Sequence, residues 1–154
     1  MLLPTLGTAV LAFETHGLPD EGRPLAVELV ELLPPYAHEA TLALSFAFLL
    51  SQIALEFELK VRQALKDAPP GPWKELAFAC LDRDFVRAAE IWAVGGVPPV
   101  EARVRLRAAE ELIDNGRIPE GEEQARRALA FYRSVAASYY VDRCETLLQE
   151  AKSA

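Results

Sequence analysis

Metal-binding and nucleophilic side chains are what this sequence has least of: two cysteines and two histidines in 154 residues. Cys80 and Cys144 lie far apart, without the paired spacing of a zinc site and too few for a disulfide framework. Both read as small buried apolar groups. His16 and His38 belong to no His-x-x-x-His or His-Glu-x-x-His pattern, and each reads as a polar residue near a helix end. Basic charge is also short: 16 Lys and Arg face 23 Asp and Glu, a net of −7. That excludes a nucleic-acid backbone as the main partner. The deficit lies mainly in residues 1–71, net −5, against −2 for residues 72–154. Long hydrophobic runs are missing too. The longest uncharged run, Ala40 to Leu55, has 16 residues, below the ~20 that a membrane span needs. The opening "MLLPTLGTAVLAFE" is apolar but lacks the basic stretch that begins a signal peptide.

Catalytic patterns are absent in the same way. There is no Gly-x-x-x-x-Gly-Lys-Ser/Thr phosphate loop, and no serine has a histidine at a suggestive spacing. The acidic clusters Glu110-Glu111 and Glu120-Glu122-Glu123 follow from helix propensity and from the preference of carboxylates for helix N-termini. No catalytic residue, metal or cofactor is expected. Reduced thiols, with neither span nor signal, make the cytoplasm the expected location.

What is present is helix, punctuated by eleven prolines and eight glycines. The spacing of apolar residues and breakers predicts helices over 3–15, with Gly17 as a left-handed stop, and over 22–33, capped by Asp20 or Gly22 and ended by Pro34-Pro35. Residues 36–66 read as one long helix or two, with "TLALSFAFLL" open to a strand reading as well. "DAPPGP" at 67–72 divides the chain into an N-terminal section, 1–68, and a C-terminal section, 72–154. In the latter, helices are expected at 73–81, 85–94, from Pro98 to Asp114, from Pro119 to Val135, and at 139–152 with Ser138 as cap.

The paired helices recur at roughly 32 to 34 residues, the period of tetratricopeptide repeats. In that motif, short side chains let two helices approach closely. Trp73, Leu76, Ala77 and Ala89 fall at matching offsets in one pair; Ala109, Leu112, Gly116, Gly121 and Ala128 do so in the next. Arg105 stands where the motif has a large aromatic. The fold expected is a single all-α domain of about seven or eight helices, in antiparallel hairpins stacked as a tetratricopeptide-like right-handed superhelix.

Residues 100–148, "VEARVRLRAAEELIDNGRIPEGEEQARRALAFYRSVAASYYVDRCETLL", resemble the ending of large bacterial signalling proteins, the multidomain ATPase-type transcriptional regulators and class III nucleotide cyclases. Their C-terminal halves are tetratricopeptide-like arrays, and the shared segment is "LRAAE…GR…ALAFYRSV". The resemblance implies a scaffold or sensor segment, not the catalytic part. Where such segments usually carry glycine after Ser-Val, this chain has Ala136. A left-handed alanine costs about 1 kcal/mol relative to glycine.

Two surfaces carry the functional expectation. Arg103, Arg105 and Arg107 read first as a solvated, salt-bridged row. Arg103, Arg107, Arg126 and Arg133 are also candidates to line a groove for an acidic peptide. In the adjacent pairs Phe131-Tyr132 and Tyr139-Tyr140, neighbours point about 100° apart. One ring of each pair is therefore expected to cover the end of the core while the other sits at its rim, as a terminal repeat requires. The apolar stretch "ATLALSFAFLLSQIALEFEL" reads as a buried central helix, or as an interface for a second copy or an upstream domain. The function expected is non-catalytic protein–protein interaction or regulation in bacterial signalling, with a protein, a peptide or upstream domains of the same polypeptide as partner. A homodimer is left open. The runner-up is a small-molecule sensor.

Overall fold

The computed structural model describes residues 2–16, 18–33 and 57–153. The described residues are all-α: eight helices and no strand. These are α1 (Leu2–Thr15), α2 (Pro19–Leu32), α3 (Glu58–Leu65), α4 (Pro72–Leu81), α5 (Phe85–Gly95), α6 (Pro98–Asp114), α7 (Ile118–Ser134) and α8 (Ser138–Ser153). The stop at Gly17, the Pro34-Pro35 break and most of the 36–66 segment lie outside the described residues. So does the stretch read as a buried helix or an interface, except for its last three residues, where Phe57 is buried and Leu59 exposed. The chain forms two compact units, Met1–Arg83 and Asp84–Ala154.

In the first unit α1 and α2 pack as a hairpin. Leu6 and Val10 on α1, and Ala26, Leu29, Val30 and Leu33 on and just past α2, are buried. Their spacing by threes and fours puts each set on one helical face. Helix α2 starts three residues before the sequence predicts, because Pro19 occupies its first turn after Leu18, where a missing N–H leaves no bond unmade. Gly22 is therefore no cap. It lies inside the helix, where a Cβ would stand 3.0 Å from Phe13 Cβ. Further on, Lys74 Nζ donates to the carbonyls of Lys66 and Ala68, at 2.6 and 3.0 Å, closing the end of α3 with a cation.

The second unit is built from successive neighbours: α5 packs on α6, α6 on α7 and α7 on α8. Three turns of one kind reverse the chain. After α6, Gly116 N–H donates to Ile113 O and Arg117 N–H to Leu112 O. The same two bonds recur from Gly96 and Val97 after α5, and from Ala136 and Ala137 after α7. This is the Schellman pattern, which needs a left-handed residue. Gly96, Gly116 and Ala136 supply it, with φ of 70°, 75° and 53°. The alanine expected to be strained is left-handed.

Alternate helices start 33 residues apart at Phe85 and Ile118, but 40 apart at Pro98 and Ser138. The 32-to-34-residue period therefore holds for the first of these pairs only. The physical reason is length: α6 and α7 each run 17 residues, nearly five turns. Ser138 is the first residue of α8 and not the residue before it.

Candidate recognition groove

Helix α7 is the spine against which the candidate site forms. Its Gly121 lets α6 come close. A Cβ there would meet Ile113 Cγ1 at 2.6 Å and the Ala109 carbonyl oxygen at 3.1 Å. Ala109, Leu112, Gly121 and Ala128, named above for close packing, are all buried in this unit. Three turns further along the same buried face of α7, Tyr132 stacks on Tyr140 of α8, with ring centroids 4.6 Å apart and planes 12° from parallel. Phe131 and Tyr139 pack edge-on against Tyr132 and Tyr140 respectively. Tyr132 is buried, Phe131 and Tyr140 are half-buried, and Tyr139 is 62% exposed. The rings beside Ala102, Leu106, Ala128 and Cys144 close one core cluster. Burial drives the Tyr132 phenol well above its usual pKa, with Tyr140 the next cause.

Trp73, Leu76 and Ala77 belong to α4 in the first unit, and Ala89 belongs to α5 in the second. The hairpin read from the sequence thus spans the unit boundary. Leu76, Ala77 and Ala89 are buried and Trp73 is half-buried.

With α7 holding both neighbours, α6 and α8 touch and run alongside each other. Between them lies a groove of about 550 Å³. Arg107, Glu110 and Asp114 line it from α6; Tyr139, Asp142, Arg143, Thr146, Leu147 and Glu150 line it from α8. Each set follows three- and four-residue steps, so one face of each helix forms a wall. Glu110 is the hub. It accepts from Arg143 Nε at 2.9 Å and Nη2 at 2.5 Å, and from Arg107 Nη1 at 3.4 Å. Burial pulls the Arg143 pKa down, but Glu110 and Tyr139 outweigh it and hold the guanidinium above its usual value. Arg107 also donates to Glu111 at 2.8 Å and lies over the Phe85 ring. Asp114, Asp142 and Glu150 have no ion pair among the described residues. The groove is therefore acidic.

The four arginines expected to line one groove do not meet there. Only Arg107 reaches it. Arg126 pairs with Glu122 on its own helix, and Arg133 reaches Glu145 at 2.6 Å. Arg103 is half-buried on α6. Four arginines spread over two helices need not share a face, and sequence spacing alone does not say which helices flank a groove.

Arg105 departs furthest from its solvated reading. It is 1% exposed and is among the largest fully buried side chains of the described residues. Its Nε donates to Glu101 at 2.6 Å and its Nη1 to Gln124 of α7 at 2.7 Å. It fills the interior position where the motif carries an aromatic, and a buried cation persists there because it is paired.

Cys80 and Cys144 are free and fully buried. Burial pushes the Cys80 thiol up to about 12; burial, helped by Glu110, pushes Cys144 to about 11. Neither is poised as a nucleophile. Among the described residues no group of three or more His, Cys, Asp or Glu is placed to hold a metal ion. No helix among them is long and apolar enough to cross a membrane.

Comparison with protein-family models, with curated proteins and with solved structures finds no match.

Proposed function

We propose that this chain is a non-catalytic helical-repeat module for protein–protein interaction, the regulatory or scaffold part of a bacterial signalling system, with its helices stacked as a tetratricopeptide-like superhelix. The observation that carries this reading is the open α6–α8 groove. It combines an exposed tyrosine with the carboxylates Asp114, Asp142 and Glu150, none of them paired among the described residues. An enclosed apolar pocket would favour a small-molecule sensor; an open charged wall favours a polypeptide. The charge selects the partner's sign. A segment presenting Lys or Arg to Asp142 and Glu150, with an apolar residue against Tyr139 and Leu147, is complementary, whereas an acidic peptide is repelled.

The test is fluorescence anisotropy with a labelled Lys/Leu peptide and a Glu/Leu peptide of equal length. The Lys/Leu peptide binds more tightly, and Asp142→Lys with Glu150→Lys weakens it roughly tenfold. Glu28→Lys with Glu31→Lys, an equal charge change at exposed residues of α2, leaves more of the affinity intact. Equal binding of both peptides, or equal loss in the two double variants, contradicts the reading.

A further inference from the structure

Arg105 has one unmet need. Its Nε and Nη1 are bonded, but Nη2 is buried and has no hydrogen-bond partner. The carboxylate oxygen Glu90 Oε1 of α5 stands at 3.9 Å, beyond hydrogen-bonding reach. The same oxygen lies 3.6 Å from Arg127 Nη1 of α7. Two guanidinium groups on different helices thus converge on one carboxylate that bonds fully to neither. That carboxylate's side chain is 60% exposed, while the Arg105 side chain is only 2% exposed. Arg105 is fixed from beneath, its guanidinium held by Glu101 and Gln124 with Nη2 left over, while the Arg127 side chain is 45% exposed.

We infer that Arg105 Nη2 and Arg127 form a carboxylate seat, loosely occupied by Glu90, which an Asp or Glu side chain of a partner protein can take over. A carboxylate that satisfies the orphaned N–H gains a charge-assisted bond that Glu90 leaves unmade. The Glu90 side chain is exposed, so it can swing aside into water when a better-placed carboxylate takes its position. Arg105 cannot move, because its other two nitrogens are engaged. The seat is therefore preorganised at Arg105 and exposed at Glu90, the arrangement that lets an incoming ligand exchange with an internal one. None of its residues lines the α6–α8 groove, so the two sites stand or fall separately.

The chemistry is a carboxylate, and its source is either a free small anion or a polypeptide side chain. The experiment uses the full chain and the Glu90→Ala variant, with sodium acetate and an end-blocked Ala-Glu-Ala-Glu-Ala peptide as probes. Sodium chloride at matched ionic strength is the control. Emptying the seat lowers the melting temperature by about 2–4 °C, and acetate restores it where chloride does not. The peptide restores it at lower concentration than acetate, and Arg127→Ala added to Glu90→Ala removes both effects. Restoration by acetate with none by the peptide overturns the polypeptide assignment. Restoration by neither probe, or equally by chloride, overturns the seat itself. Should Glu90→Ala fail to fold, Glu90→Gln keeps the shape, removes the charge, and serves in the same comparison.

Discussion

The buried face of α7 is sealed by opposite means at its two ends. Towards α6 the contact is made by removing atoms: Gly121 leaves no room for a Cβ against Ile113 and the Ala109 carbonyl. Towards α8 it is made by adding them, with Tyr132 stacked on Tyr140 and flanked by Phe131 and Tyr139. The turns differ in parallel. Gly116 takes the left-handed position between α6 and α7; Ala136 takes it between α7 and α8. Close helix approach thus rests on small residues between α6 and α7, and on aromatic area between α7 and α8.

The sharpest way to break this contrast is Tyr132→Ala. It removes a buried ring from the cluster around Ala128 and Cys144 and is expected to cost about 3–5 kcal/mol, read from urea unfolding followed by circular dichroism. On the other seam, Gly121→Val overpacks Ile113 and Ala109 and is expected to cost about 1–3 kcal/mol. Because the two defects lie on one helix face but about 16 Å apart along it, near-additivity in the double variant would show that the seams act independently.

The turns give a smaller, mirrored pair. Ala136→Gly relieves a left-handed alanine and stabilises by about 1 kcal/mol, whereas Gly116→Ala introduces that strain and destabilises by a similar amount. Chemical unfolding of the two single variants checks the signs. Equal signs would show that the turns do not share a conformation.

The smallest effect separates the seams by pH. The Cys144 thiol is raised from its ordinary 9.0 to about 11 by burial and by Glu110. A folded-state pKa above the unfolded value means the folded chain holds that proton more tightly. Its contribution is complete below pH 9 and is lost as pH rises towards 11. Cys144→Ala should therefore show a shallower loss of stability between those pH values than the parent chain. An identical slope would mean that the thiol is solvated.

Much of the helical order was legible in the sequence for a local reason. Pro98, Pro119, Asn115-Gly116 and Gly95-Gly96 act within one turn of where they stand, and the helices start or stop beside them. Ala136 is less local: an alanine disfavours the left-handed conformation, yet it takes the same turn as Gly116. Which ring of each aromatic pair would be covered needed the helix phase: Tyr132 and Tyr140 turn inward, Tyr139 outward. The groove was much less legible. Its lining comes from α6 and α8, which are separated in sequence by the whole of α7, and no local pattern records that pairing. Arg105 was misread because arginine is rarely buried. What the sequence offered was local, since a buried cation needs partners within reach. Glu101 four residues earlier was one such partner; Gln124, on the next helix, was visible only once α6 and α7 were packed.

The central claim, that α7 is clasped between α6 and α8 by these two seams, is tested most directly by nuclear Overhauser contacts in the intact chain. Cross-peaks from the Gly121 α-protons to the Ile113 side chain, together with cross-peaks between the Tyr132 and Tyr140 rings, are the predicted result. Helical backbone shifts for all three helices with either set of cross-peaks missing would contradict it.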